Sequence, residues 1–322
     1  MHDIVQVPRG VEMVNIWIIV KKELSDVISN RSFQLASIIF IIYMVLVGVS
    51  SANAYYNQRI FYSTYLIFDP VGELVIIGNI APPILSLGAF VAISFSFTSM
   101  NKERANGSLK VLLSYPVYRD QVILGKLFAG FLLISVITLT SMSVSLTLYL
   151  LLTNIVFTLE LMLRFISVML LGLLFLLSFL GIGEFFSILF VDAKKTLITM
   201  FLVVGFFNSE VFTVLGQIIS RILFGNRVFE LAHKAMNAGT DWLPPGLPSL
   251  LGSLNPSWGL RDMADKLGVS SKVLFTDGVV SIVSNNFSSV IFEHLGSIIV
   301  LLLIPIISFS ASYIFFMKKD IV

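Results

Sequence analysis

The sequence of 322 residues contains no cysteine and only three histidines. Without cysteine the chain has no disulfide, no thiolate nucleophile and no cysteine metal site. His2, His233 and His294 lie far apart in the sequence, and no HExxH or similar metal-ligand spacing is present. The sequence therefore predicts neither a catalytic residue nor a metal site on this chain.

Charged residues are also scarce, at 12% of the chain, whereas hydrophobic residues make up 57%. Soluble domains usually carry about 25% charged residues. A chain with half that fraction lacks the polar surface that a water-soluble globule needs, and its hydrophobicity excludes intrinsic disorder. The net charge of +2 gives no reason to expect a nucleic-acid partner. These values indicate an all-α membrane protein that crosses the bilayer several times.

Long runs with at most one charged residue locate the membrane spans. A span needs about 20 apolar residues, and its backbone must satisfy its own hydrogen bonds, so each run is expected to form a helix. We expect the helix of the third span to end near Asn154, and we expect Pro82-Pro83 to kink the helix of the second span. The six predicted spans are Phe33 to Ala54, Leu74 to Ser99, Leu127 to Leu159, Phe165 to Val191, Thr196 to Ser220 and Leu295 to Met317.

The basic residues predict the orientation of these spans, because lysine and arginine are enriched in cytoplasmic connections. With both termini in the cytoplasm, the two short outer connections hold only Arg59 and Arg164. The sequence thus predicts a multi-pass protein of the cell membrane with cytoplasmic N- and C-termini. The basic residues on the inner side are then Arg9, Lys21, Lys22, Arg31, Lys102, Arg104, Lys110, Arg119, Lys126, Lys194, Lys195, Lys318 and Lys319.

The chain divides into four parts on this basis. Residues 1–32 form a cytoplasmic N-terminus, and residues 33–215 hold spans one to five with a cytoplasmic loop at 100–126. Residues 216–293 form an extracellular region, for which short patterns broken by glycine and proline predict a small helical cap. Residues 294–322 hold the sixth span and a cytoplasmic C-terminus.

The N-terminal part contains a helical pattern ahead of the first span. Between Val11 and Ser29, apolar residues recur at helical spacing and oppose a polar side. This predicts an amphipathic helix that lies in the cytoplasmic membrane interface, with Trp17 at the level of the lipid headgroups. The alternative is an ordinary helix packed on protein.

The cytoplasmic loop at 100–126 has an ordered pattern of residue types. Gly107 permits a turn, Ser108 can cap a short helix from Leu109 to Leu113, and Pro116 can stop that helix. The leucines give the short helix one apolar edge, and basic residues surround it. Such a helix suits docking into a groove on a cytoplasmic partner, whereas the alternative is a plain polar loop.

The same loop resembles the signature of the type-2 permeases of ABC transporters, an exporter family with six spans per permease. That signature is an acidic residue, Gly-Thr, two or three leucines, Ser-x-Pro-x-x-Arg and Gly-Lys, and Ser108 stands here for the threonine. The resemblance implies that two permease chains pair, as a homodimer or a heterodimer. It also implies that a separate ATP-binding cassette subunit, with its ATP and Mg²⁺, drives them through a coupling helix. The residues implied in this coupling are Glu103, Arg104, Gly107, Ser108, Leu109, Leu112, Leu113, Pro116 and Arg119.

The chain itself lacks the phosphate-binding motif that ATP hydrolysis requires. Its one Gly-Lys pair, Gly125-Lys126, is followed by Leu127 instead of serine or threonine. Asp120 stands where the motif needs its first glycine. We therefore expect no enzyme activity and no cofactor on this chain.

Two carboxylates, Glu184 and Glu210, interrupt otherwise apolar spans. A carboxylate inside the bilayer is costly and is expected to face the bundle interior, a partner or water. Each residue fits a polar contact in a substrate path or gate, or a structural hydrogen bond between helices. Two alternative functions stay open, namely a self-contained channel or secondary transporter and an ABC-like subunit of an envelope or motility machine. A membrane-embedded enzyme is disfavoured, because no histidine, cysteine or paired-carboxylate constellation is present.

Overall fold

The computed structural model describes residues 16–64, 75–96, 119–190, 192–207, 256–267, 271–276, 279–284 and 287–318. These residues form nine helices and one β-hairpin. The elements, in chain order, are α1 (Ile16–Ile28), α2 (Arg31–Thr64), α3 (Val75–Ser96), α4 (Arg119–Thr153), α5 (Leu159–Leu189), α6 (Ala193–Phe207), α7 (Pro256–Leu267), β1 (Ser271–Thr276), β2 (Val279–Ser284), α8 (Phe287–Glu293) and α9 (Leu295–Lys318).

Five helices in the described part of the chain are long and apolar enough to cross a membrane. They are found in α2, α3, α4, α5 and α9, over Arg31–Asn57, Val75–Ser96, Asp120–Thr153, Leu159–Leu189 and Leu295–Lys318. The predicted span from Thr196 to Ser220 is described only as far as Phe207, within α6, so its full length stays a prediction. The protein is therefore a multi-pass helical membrane protein.

The turn between α4 and α5 agrees with the expected end of the third span. α4 ends at Thr153, and Asn154 adopts a left-handed backbone with φ of 56°. Asparagine tolerates this conformation better than most residues. The hydroxyl of Thr158 then accepts a hydrogen bond from the backbone N–H of Leu161, which caps the start of α5.

A π-helical turn directly follows the two prolines of the second span, and the kink expected there stays a prediction. α3 is α-helical over Val75–Pro83 and π-helical over Ile84–Gly88 before it continues to Ser96. Proline lacks the backbone donor and its ring collides with the preceding turn, so the α-helical hydrogen-bond ladder cannot continue through Pro82-Pro83. The hydroxyl of Ser86 donates to the carbonyl of Pro82, one turn earlier, at 2.8 Å.

The interior of the bundle lies between α2, α3, α4 and α5. Phe40 and Met44 from α2, Ile80 from α3, Tyr149 from α4 and Phe175 from α5 are buried together in one cluster. In a bilayer the lipid is as apolar as these side chains, so close packing and interhelical hydrogen bonds, more than water exclusion, hold the helices together.

Two glycines let α5 approach its neighbours closely. Gly181 lies against Ser308 and Phe309 of α9, and Gly183 lies against Ser96 of α3, with no room for a side chain at either glycine. The carbonyl of Gly181 also accepts a hydrogen bond from Ser312 at 3.3 Å. α5 is thereby packed between α3 and α9.

The region before the last span differs from the helical cap that the sequence predicts. Part of this region is helical as expected, since Pro256–Leu267 form α7, with Leu260, Met263 and Leu267 buried. β1 and β2, however, form an antiparallel hairpin in which Ser271 pairs with Ser284. The helical prediction is wrong for this stretch because its valines, isoleucine and phenylalanine favour strands and an Asp-Gly pair separates the two runs.

Candidate functional site

The predicted coupling segment enters α4 directly. Its residues Glu103, Arg104, Gly107, Ser108, Leu109, Leu112, Leu113 and Pro116 lie outside the described residues, and so does the side chain of Arg119. The structure describes the two helices that flank the segment, α3 up to Ser96 and α4 from its first residue, Arg119. The described end of the motif is its Gly-Lys pair in the second turn of α4.

Gly125 brings α4 into close contact with α1. A Cβ atom at this position would lie 2.7 Å from Cγ2 and 3.1 Å from Cβ of Ile19. Both Ile19 atoms belong to a stiff β-branched side chain close to its backbone, so they cannot move away easily. Glycine at 125 therefore permits the contact between the first turns of α4 and the middle of α1.

Lys126 forms a buried ion pair with Glu23 in the same contact. The Lys126 ammonium lies 2.9 Å from Glu23 Oε2, and the two side chains are only 1% and 7% exposed. Lys22 lies 3.3 Å from the other carboxylate oxygen, Oε1. Burial of two charges is costly, and it is tolerated when the pair is close and its other atoms are also hydrogen-bonded. The geometry thus joins α1 to the helix that follows the coupling segment.

Sequence reasoning missed Glu23, although a signal for it was present. Glu23 stands four residues after Ile19 and four before Val27, so an acidic side chain occupies the face of α1 that is otherwise apolar. Such a carboxylate needs a basic partner on the neighbouring helix. Lys126, the final residue of the motif, supplies it.

α1 presents three different sides around its axis. Its protein side packs on α4, its polar side is exposed, and between them lies an outward apolar side. The protein side is made of Ile19, Val20, Glu23 and Val27; the outward apolar side of Trp17 and Ile28; and the polar side of Lys22, Ser25 and Asp26. The Trp17 ring also meets Phe128 of α4 edge-on, with 5.6 Å between ring centroids. The predicted helix is present, and it packs on protein along one of its sides.

Glu184 is fully buried within α5, at the level where Gly183 contacts α3. It lies five residues before the end of α5 at Leu189, about 7.5 Å along the helix axis. Ser187, one turn later, is also fully buried. Glu210 lies outside the described residues, so its predicted role stays a prediction. No group of three histidine, aspartate or glutamate residues in the described ranges could hold a metal ion.

The sequence over residues 17–321 matches the family described as ABC-2 family transporter protein. The match covers nearly the whole chain. The chain belongs to this family. A search of the curated proteins found no match. The chain is thus an ABC transporter permease by family, a membrane subunit of a kind that works with an ATP-binding subunit.

The ABC-2 permease has a second polar cluster at the end of the bundle opposite α1. Arg164, counted from sequence as a residue of an outer connection, lies inside α5 with its side chain 1% exposed. Its guanidinium donates to Glu160 at 2.7 and 3.0 Å and to the carbonyl of Leu267 at 2.9 Å. Leu267 is the last residue of α7, so Arg164 satisfies one carbonyl that the helix end leaves open. This contact fixes α7 to the start of α5.

The same helix of the permease is joined to the last span by charged side chains. Asp262 lies 2.8 Å from Nε2 of His294, which occupies the single residue between α8 and α9. Lys266 pairs with both Asp262 and Glu293. The hydrogen bond with His294 holds the pKa of Asp262 below its usual 3.8, and the same bond raises the pKa of His294 above 6.5. Burial raises the pKa of Asp265, which lies on the neighbouring turn of α7.

Proposed function

We propose that this chain is the membrane-spanning subunit of an ATP-driven exporter and forms the translocation path as a dimer. A separate ATP-binding cassette subunit binds ATP and Mg²⁺ and moves the coupling segment at 100–126. Both termini of the permease are in the cytoplasm of the cell, and α1 lies in the inner membrane interface. Its outward apolar side faces lipid, and its polar side faces water.

The observation that carries this proposal is the contact of the Gly125-Lys126 pair with α1. A short helix at Leu109–Leu113 that docks in the ATPase would pull on the start of α4 at Arg119. Arg119 lies six residues before Gly125. Since α1 is joined to α4 by the buried Glu23–Lys126 pair, the two helices would move as one body. Motion of the ATPase is thereby passed to α4, a helix that crosses the membrane. The family to which the chain belongs supports the same assignment.

The first test is purification of the tagged chain from its native host in mild detergent, followed by mass spectrometry. We expect a stoichiometric subunit of about 25–35 kDa that contains a Walker A sequence. A second permease in the sample would indicate a heterodimer. Purification of the chain alone at every salt and nucleotide condition would contradict the proposal and favour a self-contained channel or transporter.

A second test locates the contact with the ATPase. Because the chain has no cysteine, Leu109→Cys or Leu113→Cys introduces a single thiol for cross-linking to the partner. We expect a cross-link from these positions that changes in yield when ATP binds. Val156→Cys is the matched control, because Val156 is 78% exposed in the turn between α4 and α5 at the opposite end of the bundle. Equal cross-linking from both ends would refute a coupling role for the segment.

A further inference from the structure

His294 stands where α7 meets the entrance of the last span. It is the one residue between α8 and α9, and its backbone N–H donates to the Val290 carbonyl while its own carbonyl accepts from Ile298. The side chain is buried, at 6% exposure. Its ring reaches Asp262 in the middle of α7. A change in the charge or the side chain of His294 would thus alter the contacts of both α7 and α9.

Both ring nitrogens of His294 face hydrogen-bond acceptors. Nδ1 lies 2.9 Å from the Val290 carbonyl oxygen, and Nε2 lies 2.8 Å from Asp262 Oδ2. A neutral imidazole carries one N–H and can satisfy one acceptor, whereas the imidazolium carries two. The hydrogen bond with His294 and the Lys266 ammonium, 3.3 Å from the same oxygen, lower the pKa of Asp262, so the ionised carboxylate accepts. The arrangement is complete only when His294 carries its positive charge.

Other charged groups lie around this pair. Lys266 and Glu293 pair with each other beside it, and Arg164 with Glu160 pairs at the end of α7. The described parts of α3 and α9 add no charged residue on this side of the bundle, since α3 has none and Lys318 lies at the far end of α9. The charged groups that face the pair from α7, α8 and α5 are Arg261, Asp265, Lys266, Glu293, Glu160 and Arg164.

α7 is also attached to two other spans, independently of His294. Arg164 of α5 binds the Leu267 carbonyl, and Gly78 of α3 lies close to Asp265, with 3.4 Å from an ideal Cβ to Oδ1. Loss of the contact with His294 would therefore weaken the hold of α7 on α9, while α7 stays anchored to α5, to α3 and, through the Lys266–Glu293 pair, to α8. α7 could therefore pivot on its contacts with α5 and α3 when its contact with His294 is lost.

We propose that Asp262 and His294 form a proton-operated latch that fastens α7 to the start of the last membrane span. With His294 charged, the imidazolium joins the Val290 carbonyl to the Asp262 carboxylate and the latch is closed. When the proton leaves, the charge attraction between the ring and the Asp262 carboxylate is lost and one of the two acceptors faces a lone pair, so the contact between α7 and α9 weakens. The raised pKa of His294 places this change above pH 6.5.

The latch is a property of this chain and requires no partner. Its use in opening the outer end of a translocation path rests on the proposed function. A measurement on the purified chain in lipid nanodiscs tests the latch alone, so failure of the exporter assignment would not affect the result.

The test uses two spin labels, on cysteines placed by Arg261→Cys in α7 and Phe292→Cys in α8. Both positions are exposed, and the chain has no other cysteine. The distance distribution is recorded by electron paramagnetic resonance at about pH 5.5 and about pH 8.5. We expect one narrow population at the lower pH and a second, longer one at the higher pH. An identical distribution at both pH values would overturn the proposal.

Three variants in the same labelled background separate the latch from general effects of pH. His294→Gln cannot titrate, so its distribution is expected to contain the longer population at both pH values. Glu293→Gln is the matched control, because it breaks the neighbouring pair with Lys266 and should keep the pH dependence of the parent. If His294→Gln retains that dependence, His294 is not the latch. If His294→Gln does not fold, Asp262→Asn decides the question, since loss of the carboxylate should also abolish the pH dependence.

Discussion

The ammonium group of Lys126 lies 2.9 Å from the carboxylate of Glu23, and almost no solvent reaches either side chain. The pair joins the N-terminal helix to the fourth helix at the point where the coupling segment ends. A residue of the family signature thus has a structural partner 103 positions earlier in the chain.

Lys126→Met is expected to destabilise the protein by about 3–5 kcal/mol, because it leaves the buried Glu23 carboxylate without its main partner. Glu23→Gln/Lys126→Met removes both charges and should recover most of that loss. Unfolding of the four proteins in a double-mutant cycle measures the coupling between the two residues. Strictly additive losses would mean that the pair makes no net contribution.

Gly125→Ala is expected to cost about 1–3 kcal/mol, since the new methyl group would collide with Ile19. Ile19→Ala removes the nearest colliding atom, so the double variant should be less destabilised than the sum of the two single variants. Thermal unfolding provides the comparison. Gly205→Ala serves as the control because nothing lies within 4 Å of the Cβ that it would gain.

Arg164→Gln should loosen α7 without unfolding the bundle. The variant loses the charged hydrogen bond to the Leu267 carbonyl, which is worth about 1.5–3 kcal/mol. Faster amide hydrogen exchange confined to α7 is the expected result. In Glu160→Gln the change should be below about 1 kcal/mol, because Glu160 is 58% exposed. Uniform exchange throughout the chain would argue against a local role for Arg164.

Because of the Asp262–His294 pair, we expect the free energy of unfolding to decrease both at high pH and at low pH. Since the pKa of His294 is raised from 6.5, its contribution is full below that value and is lost as pH rises through the raised pKa. Since the pKa of Asp262 is lowered from 3.8, its contribution is present above that value and is lost as pH falls through the lowered pKa.

The measurement for this pair is the difference in apparent Tm between the wild type and His294→Gln across that range. We expect the difference to correspond to about 1 kcal/mol at its maximum near pH 5–6, below the usual range for a charged hydrogen bond because Asp262 is 60% exposed. Above the raised pKa of His294 the two melting temperatures should converge. A difference that stays constant with pH would assign the effect of the substitution to packing.

The sequence predicts the helices of this protein well where long apolar runs leave the backbone no alternative. Five of the six predicted spans correspond to helices, although α4 and α5 begin several residues before the predicted starts at Leu127 and Phe165. α4 ends at Thr153, next to the predicted end near Asn154. The hairpin at 271–284 was missed because short β-branched runs fit either a buried helix or a strand, and only their pairing decides between the two.

The candidate site was predicted in part, for a similar reason. Gly125 and Lys126 were recognised as a pattern, but their partners Ile19 and Glu23 lie more than 100 residues away, and spacing along the chain carries no information about that contact. The same holds for Arg164, which looked like a loop residue until α5 was found to begin at Leu159. Long-range pairs depend on how the helices pack, which local periodicity does not describe.

The π-helical turn of α3 affects how this chain should be aligned with its relatives. Such a turn holds one residue more than the α-helical turn it replaces, so side chains after Gly88 are rotated relative to those before Ile84. A relative whose second span is a regular α-helix would present the same face only after a one-residue gap inside the membrane segment. In an ungapped alignment of this span, lipid-facing positions of one protein would be paired with interior positions of the other in one half of the span.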